Sequence, residues 1–300
     1  MKWIHIVGCP RSGTTLALEL FTNCFAIDDY VAYETSIFPV LRKKLAPDAI
    51  HCSKNPQDVL VATALLRLEK NLHFVYLERD PRDVIVSKHR QSPDCYWANL
   101  GLWRRYQQAA ERNRDHPRFV IVRYEDMVER PNETQRALLQ RMPFLKPTTD
   151  FNNFHGRAKP SRQSNVALNG LRPISTGSLG AWQRHKPRLV AQMQRFGSLK
   201  KDLIHLGYEP DTSWTDQLAG VEPNNHQSFW PENVSPGRIL LKAAKRWKGV
   251  AAFALHQTRS RRKIRRDSTT PESLNPAEPG QQDLRPVRQS YIDHHISSRD

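Results

Sequence analysis

The stretch Gly8-Cys9-Pro10-Arg11-Ser12-Gly13-Thr14-Thr15-Leu16 decides the fold of this chain. The apolar run before it, residues 3–7, is typical of a buried strand, and residues 16–21 after it begin a helix. A strand that leads through such a turn into a helix can bind phosphate, because the first free N–H groups of the helix point at an anion. Gly13 lets the backbone turn tightly, and Arg11 adds a cation. Gly-x4-Gly alone fits an ordinary βα turn equally well.

The residues around Gly13 indicate which anion binds. A Walker A loop places Lys directly after its second glycine, whereas this chain has Thr14 there and carries its cation, Arg11, three residues earlier. The run resembles the 5′-phosphosulfate loop of sulfotransferases, which reads P-[KR]-S-G-T-T and here includes Ser12 and Thr15. The resemblance implies a sulfuryl donor that binds without a metal. Backbone amides and fixed cations then supply the electrostatic stabilisation.

Strand-like and helix-like runs alternate through residues 1–210. This alternation predicts an α/β fold of three layers, P-loop-like, with a central parallel sheet and helices on both faces. Ligands of such sheets bind at the carboxyl ends of the strands. Five polar or turn residues are predicted at that edge: Gly8, Glu34, Lys54, Arg79 and Tyr124. The pattern also predicts a long helix over 96–115 and a basic loop over 146–173.

Two further blocks extend the resemblance to the sulfotransferases that use 3′-phosphoadenosine 5′-phosphosulfate (PAPS). Residues 79–87 are similar to the family's 3′-phosphate segment, with Arg79 at the strand end and Ser87 eight residues later. Arg123-Tyr124-Glu125-Asp126 is similar to the family's Tyr-Glu block. PAPS differs from ATP by its 3′-phosphate, so its site needs a second anion pocket. Arg79 can hold that phosphate through two hydrogen bonds, and Ser87 adds a hydroxyl.

The resemblance also implies catalytic residues. Tyr33-Glu34-Thr35 resembles the Glu-Thr of tyrosylprotein sulfotransferases and related Golgi-type enzymes, in which the glutamate is the base. Residues 52–56 resemble their Cys-Asn-Lys-Asp-Pro, in which the lysine, here Lys54, assists the sulfuryl group. The cytosolic branch has a histidine base where this chain has Pro56. The implied reaction is in-line transfer to an acceptor hydroxyl, with Glu34 as general base and Arg11 and Lys54 as stabilising cations. His51 and His89 are reserve bases.

A loop over residues 172–182 resembles the segment that closes over the nucleotide in this family. Its Ser175 is a predicted donor contact. The tyrosylprotein branch has Ser-Lys before its tryptophan, where this chain has Gly180-Ala181, and Arg184 or Lys186 could compensate. That branch also has an arginine after Glu-Thr, where this chain has Ser36. Both departures weaken the case for a peptide acceptor and leave the donor site intact.

The sequence leaves other functions open. The acceptor could be a sugar, a lipid, a peptide or a small metabolite. An alternative enzyme is a P-loop nucleotide kinase, which would need a lysine after Gly13. A further alternative is a basic module that binds membranes or nucleic acid, since the net charge is +16. We expect no nucleic-acid partner, because that alternative leaves the three ordered blocks unexplained.

Composition predicts the compartment and the domain limits. The four cysteines form no C-x-x-C pair, and no signal peptide or run of 18 apolar residues is present, which predicts a cytoplasmic or membrane-peripheral enzyme. We expect a PAPS-binding sulfotransferase domain over 1–210, an irregular linker over 211–236, and a disordered tail over 267–300. Residues 237–266 are predicted as a basic amphipathic helix and basic run, which could contact a membrane surface weakly. Its apolar stripe is Leu240, Ala244, Trp247, Ala251 and Leu255.

Overall fold

The structure is a computed structural model, which describes residues 1–89, 92–168, 170–224 and 226–269. Residues 1–258 form one compact unit. A second unit, residues 259–300, contains the end of the last helix. The predicted disordered tail, 267–300, lies almost entirely outside the described residues. The strands are β1 (Lys2–Gly8), β2 (Asp29–Glu34), β3 (Ile50–Lys54), β4 (Leu72–Glu78), β5 (Lys88–His89), β6 (Ser92–Ala98), β7 (Phe119–Arg123) and β8 (Ser228–Trp230).

The central sheet is parallel throughout, with the strand order β2-β3-β1-β4-β7. Its middle strands, β1 and β4, are apolar and buried along nearly their whole length, as expected for strands covered on both faces. This confirms the α/β fold with a central parallel sheet. Because all five strands run the same way, their carboxyl ends meet at one edge.

Helices cover both faces of this sheet. One apolar cluster contains Trp3 and Val7 of β1, and the other contains Ile4 and Ile6, as the two-residue period of a strand requires. The helices are α1 (Thr14–Cys24), α2 (Ile37–Val40), α3 (Ala62–Leu68), α4 (Pro81–Val86), α5 (Leu100–Glu111), α6 (Tyr124–Glu129), α7 (Pro131–Arg141), α8 (Arg162–Leu168), α9 (Lys186–Phe196), α10 (Lys200–His205) and α11 (Pro236–Thr269). Short 3-10 helices add Pro56–Val61, Phe151–Gly156, Ala181–His185 and Ser213–Leu218.

The helix predicted over 96–115 is wrong at its start. Residues 92–98 form β6, and α5 begins only at Leu100. Asn99 ends the strand and caps the helix, since its side-chain oxygen accepts a hydrogen bond from the backbone N–H of Leu102 at 2.7 Å. β6 pairs with β5 and with β8 in a second, smaller sheet.

Residues 211–236, predicted as an irregular linker, pack on the main unit. They contain the 3-10 helix Ser213–Leu218 and strand β8. Trp214 is buried edge-on against Trp182, with 6.1 Å between ring centroids. The departure has a physical reason, because two large apolar surfaces, Trp214 and Leu218, are removed from water there.

The predicted basic helix forms as α11, and residues 236–258 of it belong to the main unit. Val250 and Phe253 join the core cluster on one side of the sheet. In residues 1–89, 92–168, 170–224 and 226–269, no helix has an apolar stretch long enough to cross a bilayer.

Candidate active site

The loop between β1 and α1 has the backbone of an anion-binding turn. Gly13 has a φ of 92°, and its missing side chain matters, because a Cβ there would lie 2.3 Å from the ring of Tyr124. Arg11 also has a positive φ, 76°, which is uncommon for a residue with a side chain and clusters at functional sites. Ser12 is buried, and its hydroxyl donates to the carbonyl of Cys9 at 2.6 Å. Ser12 therefore shapes the loop from within.

Arg11 and Ser87 join two of the blocks that the sequence places 76 residues apart. The Arg11 side chain leaves the loop toward α4, and its Nε donates to Ser87 Oγ at 2.9 Å. Burial lowers the pKa of Arg11, and the neighbouring Arg79 guanidinium lowers it further. Two guanidinium groups therefore lie close together at the end of the loop.

Arg79 is buried at the same place. Its Nη1 donates to the carbonyl of Arg11 and its Nη2 to the carbonyl of Ser178, both at 2.9 Å. The guanidinium lies over the ring of Tyr124, 4.3 Å from the centroid. Its Nε is buried without a hydrogen-bond partner among the described residues. In the part of the chain that the structure describes, neither Arg11 nor Arg79 has a carboxylate within ion-pair distance.

Asp83 fastens the predicted closing loop. Its two carboxylate oxygens accept from the backbone N–H groups of Gly180 and Trp182, at 2.9 and 3.0 Å. Burial raises the pKa of Asp83. On the other side of the loop, the hydroxyls of Tyr124 and Ser178 are hydrogen bonded at 2.8 Å. The loop is thus held against α4 and α6 from two directions.

Glu34 and Lys54 lie side by side at the ends of β2 and β3, where the parallel register pairs them. Lys54 Nζ donates to Glu34 Oε1 and to Thr15 Oγ1, both at 3.1 Å. The lysine side chain is 6% exposed, whereas that of Glu34 is 57% exposed. One side of the Glu34 carboxylate therefore faces open space. On its other side, Lys54 links it to Thr15 of the phosphate loop.

A profile of the Sulfotransferase family matches residues 19–143. Protein-tyrosine sulfotransferase 2 of Gallus gallus is 25% identical over 199 residues, which cover 60% of this chain and 52% of that protein. Over these residues, this chain is similar to the sulfotransferase family. The chain spans about half the length of that relative.

Two solved structures are also similar to this chain. The Sulfotransferase Domain from the Synechococcus PCC 7002 Olefin Synthase is 15% identical with a TM-score of 0.41, covering 61% of this chain and 87% of that domain. Mouse sulfotransferase SULT7A1, complexed with PAP, is 13% identical with a TM-score of 0.42, covering 81% of this chain and 88% of that one.

One cleft of about 1100 Å³ brings most of the predicted residues together. Its lining includes Arg11, Gly13, Thr14, Thr15, Glu34, Lys54, Arg79, Ser87, Tyr124 and Ser175. Ser12 lies beneath the loop, and Arg184 is exposed and does not line the cleft. His51 is buried against Asp29, at 2.7 Å, and does not line the cleft either. The side chain of His89 is outside the described part.

Four contributors to this cleft are absent from the site residues that the sequence predicts. Asp83 and Ser178 hold the closing loop, although Asp83 lies within the quoted block 79–87. The third is α8, in the segment predicted as a basic loop over 146–173, where Phe151 and Phe154 are buried and α8 follows. The pair of phenylalanines was the available signal that this segment packs. Trp97 also lines the cleft, from β6.

Proposed function

We propose that this chain is a sulfotransferase, which moves a sulfuryl group from PAPS to an acceptor hydroxyl. The observation that carries the proposal is the pair Arg11 and Arg79. Arg79 is buried and Arg11 is half-buried, and neither has a carboxylate partner among the described residues. This arrangement favours an anion beside them, since buried charge is costly unless it is paired. They adjoin the helix N-terminus at Gly13, which favours a second anionic group.

The donor would span both anion sites. The 3′-phosphate would bind beside Arg79, Arg11 and Ser87, where the unpaired Nε of Arg79 marks unused hydrogen-bonding capacity. The 5′-phosphosulfate would bind over the N–H groups of Gly13, Thr14 and Thr15. The loop that Asp83 fastens would cover the nucleotide, with Ser175 and Ser178 facing it.

Lys54 would stabilise the transferred group. It is buried next to Thr15, so a sulfuryl group above the loop would lie within reach of its ammonium. Charge develops on the sulfuryl and bridging oxygens during transfer, and a fixed cation there stabilises the transition state. Arg11 would act on the phosphate side. Its bond to Ser87 makes it a donor-binding residue first and a stabilising cation second.

Glu34 would be the general base. The acceptor oxygen forms its bond to sulfur as the bond from sulfur to the bridging oxygen breaks, and adenosine 3′,5′-bisphosphate (PAP) leaves. The acceptor's proton passes to the Glu34 carboxylate. When the sulfuryl group binds Lys54, it competes for the ammonium that holds Glu34 in the free enzyme. Donor binding would thereby release the base.

The acceptor would enter at the open end of the cleft, between Tyr33, Trp97 and α8. The candidate acceptors are the four classes that the sequence leaves open: a sugar, a lipid, a peptide or a small metabolite. The cytoplasmic location likewise remains a prediction of the sequence. Donor binding would lie within residues 1–210, which contain all of the proposed donor-site residues.

Thermal unfolding with different nucleotides tests the proposal. PAP in the presence of EDTA should raise the melting temperature, because a ligand that binds the folded state stabilises it by mass action. Mg-ATP should raise it far less. The reverse order would favour the nucleotide kinase, and stabilisation by neither ligand would favour a basic binding module. Transfer itself is then measured with PAPS that carries a radiolabelled sulfuryl group. The chain is incubated with pooled hydroxyl compounds, and the label that appears on them is counted.

A further inference from the structure

Helix α11 is fixed on the main unit by one face. Val250 and Phe253 are buried, and Gly249 lies so close to Phe38 that a Cβ would come within 2.4 Å of its ring. Arg246 Nη2 donates to Gln57 Oε1 at 2.7 Å, and Gln257 Nε2 donates to Glu69 Oε2 at 2.9 Å. Apolar and polar contacts together hold residues 236–258 with a defined face outward.

The outward face carries four of the large apolar side chains that are exposed among the described residues. Trp247 is 57% exposed, and the other members are Leu240, Leu241, Ala244, Ala251 and Leu255. Their spacing repeats every three or four residues, so they form one continuous stripe along the helix. No other element within the described residues covers them. The stripe predicted from sequence therefore forms, but the core uses the opposite side of the helix.

Charge surrounds this stripe on the same surface. Residues 236–258 contain five Lys or Arg and no acidic residue. Lys245 and Lys248 are exposed beside the apolar stripe. The sequence that follows, 259–266, adds six more basic residues. A helix with an apolar face, basic flanks and a tryptophan is complementary to the boundary between anionic headgroups and acyl chains.

We propose that the outer face of α11 binds an anionic lipid surface. The leucines and Trp247 enter the headgroup boundary, while Lys245 and Lys248 contact lipid phosphates. Two alternatives fit less well. A nucleic acid would neutralise the lysines but would leave the leucines without an apolar partner. A second copy of this chain would bring two strongly basic surfaces together, which is unfavourable.

Vesicle sedimentation with the full chain tests this proposal. We expect binding to phosphatidylcholine vesicles that contain 30 mol% phosphatidylglycerol, and at least tenfold weaker binding to phosphatidylcholine alone. Trp247→Glu and Leu255→Glu should each weaken binding at least tenfold. The matched control is Ile204→Glu on α10, which is 41% exposed and changes the net charge equally. It should leave binding within about twofold of the wild-type value.

Equal losses in Trp247→Glu and Ile204→Glu would overturn the proposal, because they would show that net charge alone drives binding. Failure of the wild-type chain to bind the anionic vesicles would also overturn it. The proposal would also be overturned if the chain bound a 20-nucleotide DNA through Trp247 and did not bind the vesicles. Stabilisation by PAP, measured on the same variants, reports folding and the donor site separately. A failure at the membrane is thus distinguishable from a failure of the proposed activity.

Discussion

The two ends of the cleft are built differently. At the donor end, Arg79, Asp83 and Tyr124 are buried and linked to one another through the loop, and each has at least one fixed partner. At the proposed acceptor end, Glu34 is mostly exposed and forms an ion pair with Lys54. The difference favours a donor site that is preorganised in the fold, whereas the proposed base, Glu34, lies on an exposed surface.

The largest expected effect comes from the exposed end. Glu34→Gln should lower turnover by about 10²–10⁴-fold, the usual contribution of a general base, and should leave PAP affinity nearly unchanged. The matched control is Glu133→Gln on α7, whose carboxylate is similarly exposed at 60% and lies outside the cleft. Steady-state kinetics with PAPS and PAP titration measure the two quantities. Full activity in Glu34→Gln would place the base elsewhere.

The next effect probes the rigid end. Gly13→Ala should weaken PAP binding by about 2 kcal/mol or more, because alanine is strained at this φ and its Cβ would collide with Tyr124. Gly156→Ala is the control, since a Cβ there has open space around it. Calorimetric titration with PAP compares the two. Equal affinities would show that the loop is not preorganised around Tyr124.

A smaller effect is expected at the closing loop. Asp83→Asn keeps one acceptor oxygen for the N–H groups of Gly180 and Trp182, so PAP affinity should fall by about 1–2 kcal/mol. Proteolysis at Arg172 should become faster. If the variant kept wild-type PAP affinity and the wild-type rate of proteolysis, Asp83 would not be needed to hold the loop in place.

The same variant has a pH signature. Burial raises the folded-state pKa of Asp83 above its ordinary value of 3.8, so between these two pKa values the folded state binds more protons than the unfolded state. This carboxyl group therefore makes stability fall as the pH rises through that window. Asp83→Asn should lack this part of the slope in thermal melts. An identical slope in both proteins would contradict the buried position of Asp83.

The sequence was sufficient to place the predicted donor residues at one edge of the sheet, because these residues follow strands. Arg79 and Tyr124 directly follow β4 and β7, and in a parallel sheet the strand ends must meet at one edge. Glu34 and Lys54 were brought together for the same reason. The position of a residue relative to a strand end is local information, which a single sequence contains.

Pairing between residues that are far apart along the chain could not be predicted from the sequence. Ser178 meets Arg79 and Tyr124 only because the loop returns across the sheet edge. Residues 96–98 have helical spacing, but β6 pairs with β8, more than 120 residues away, and so forms a strand. In α11 the apolar stripe was visible, yet the packing side was set by Phe38 and the buried Phe253. In each case the deciding partner lies far along the chain.

The affinity ratio of PAP to adenosine 5′-monophosphate, which lacks the 3′-phosphate, tests the central claim most directly. Calorimetry should give PAP an advantage of about 2–5 kcal/mol in the wild-type chain, the range expected when a buried charge loses its partner. Arg79→Ala should remove most of that advantage, and Arg184→Ala, exposed and outside the cleft, should keep it. Equal binding of the two nucleotides to the wild-type chain would contradict a 3′-phosphate site at Arg79.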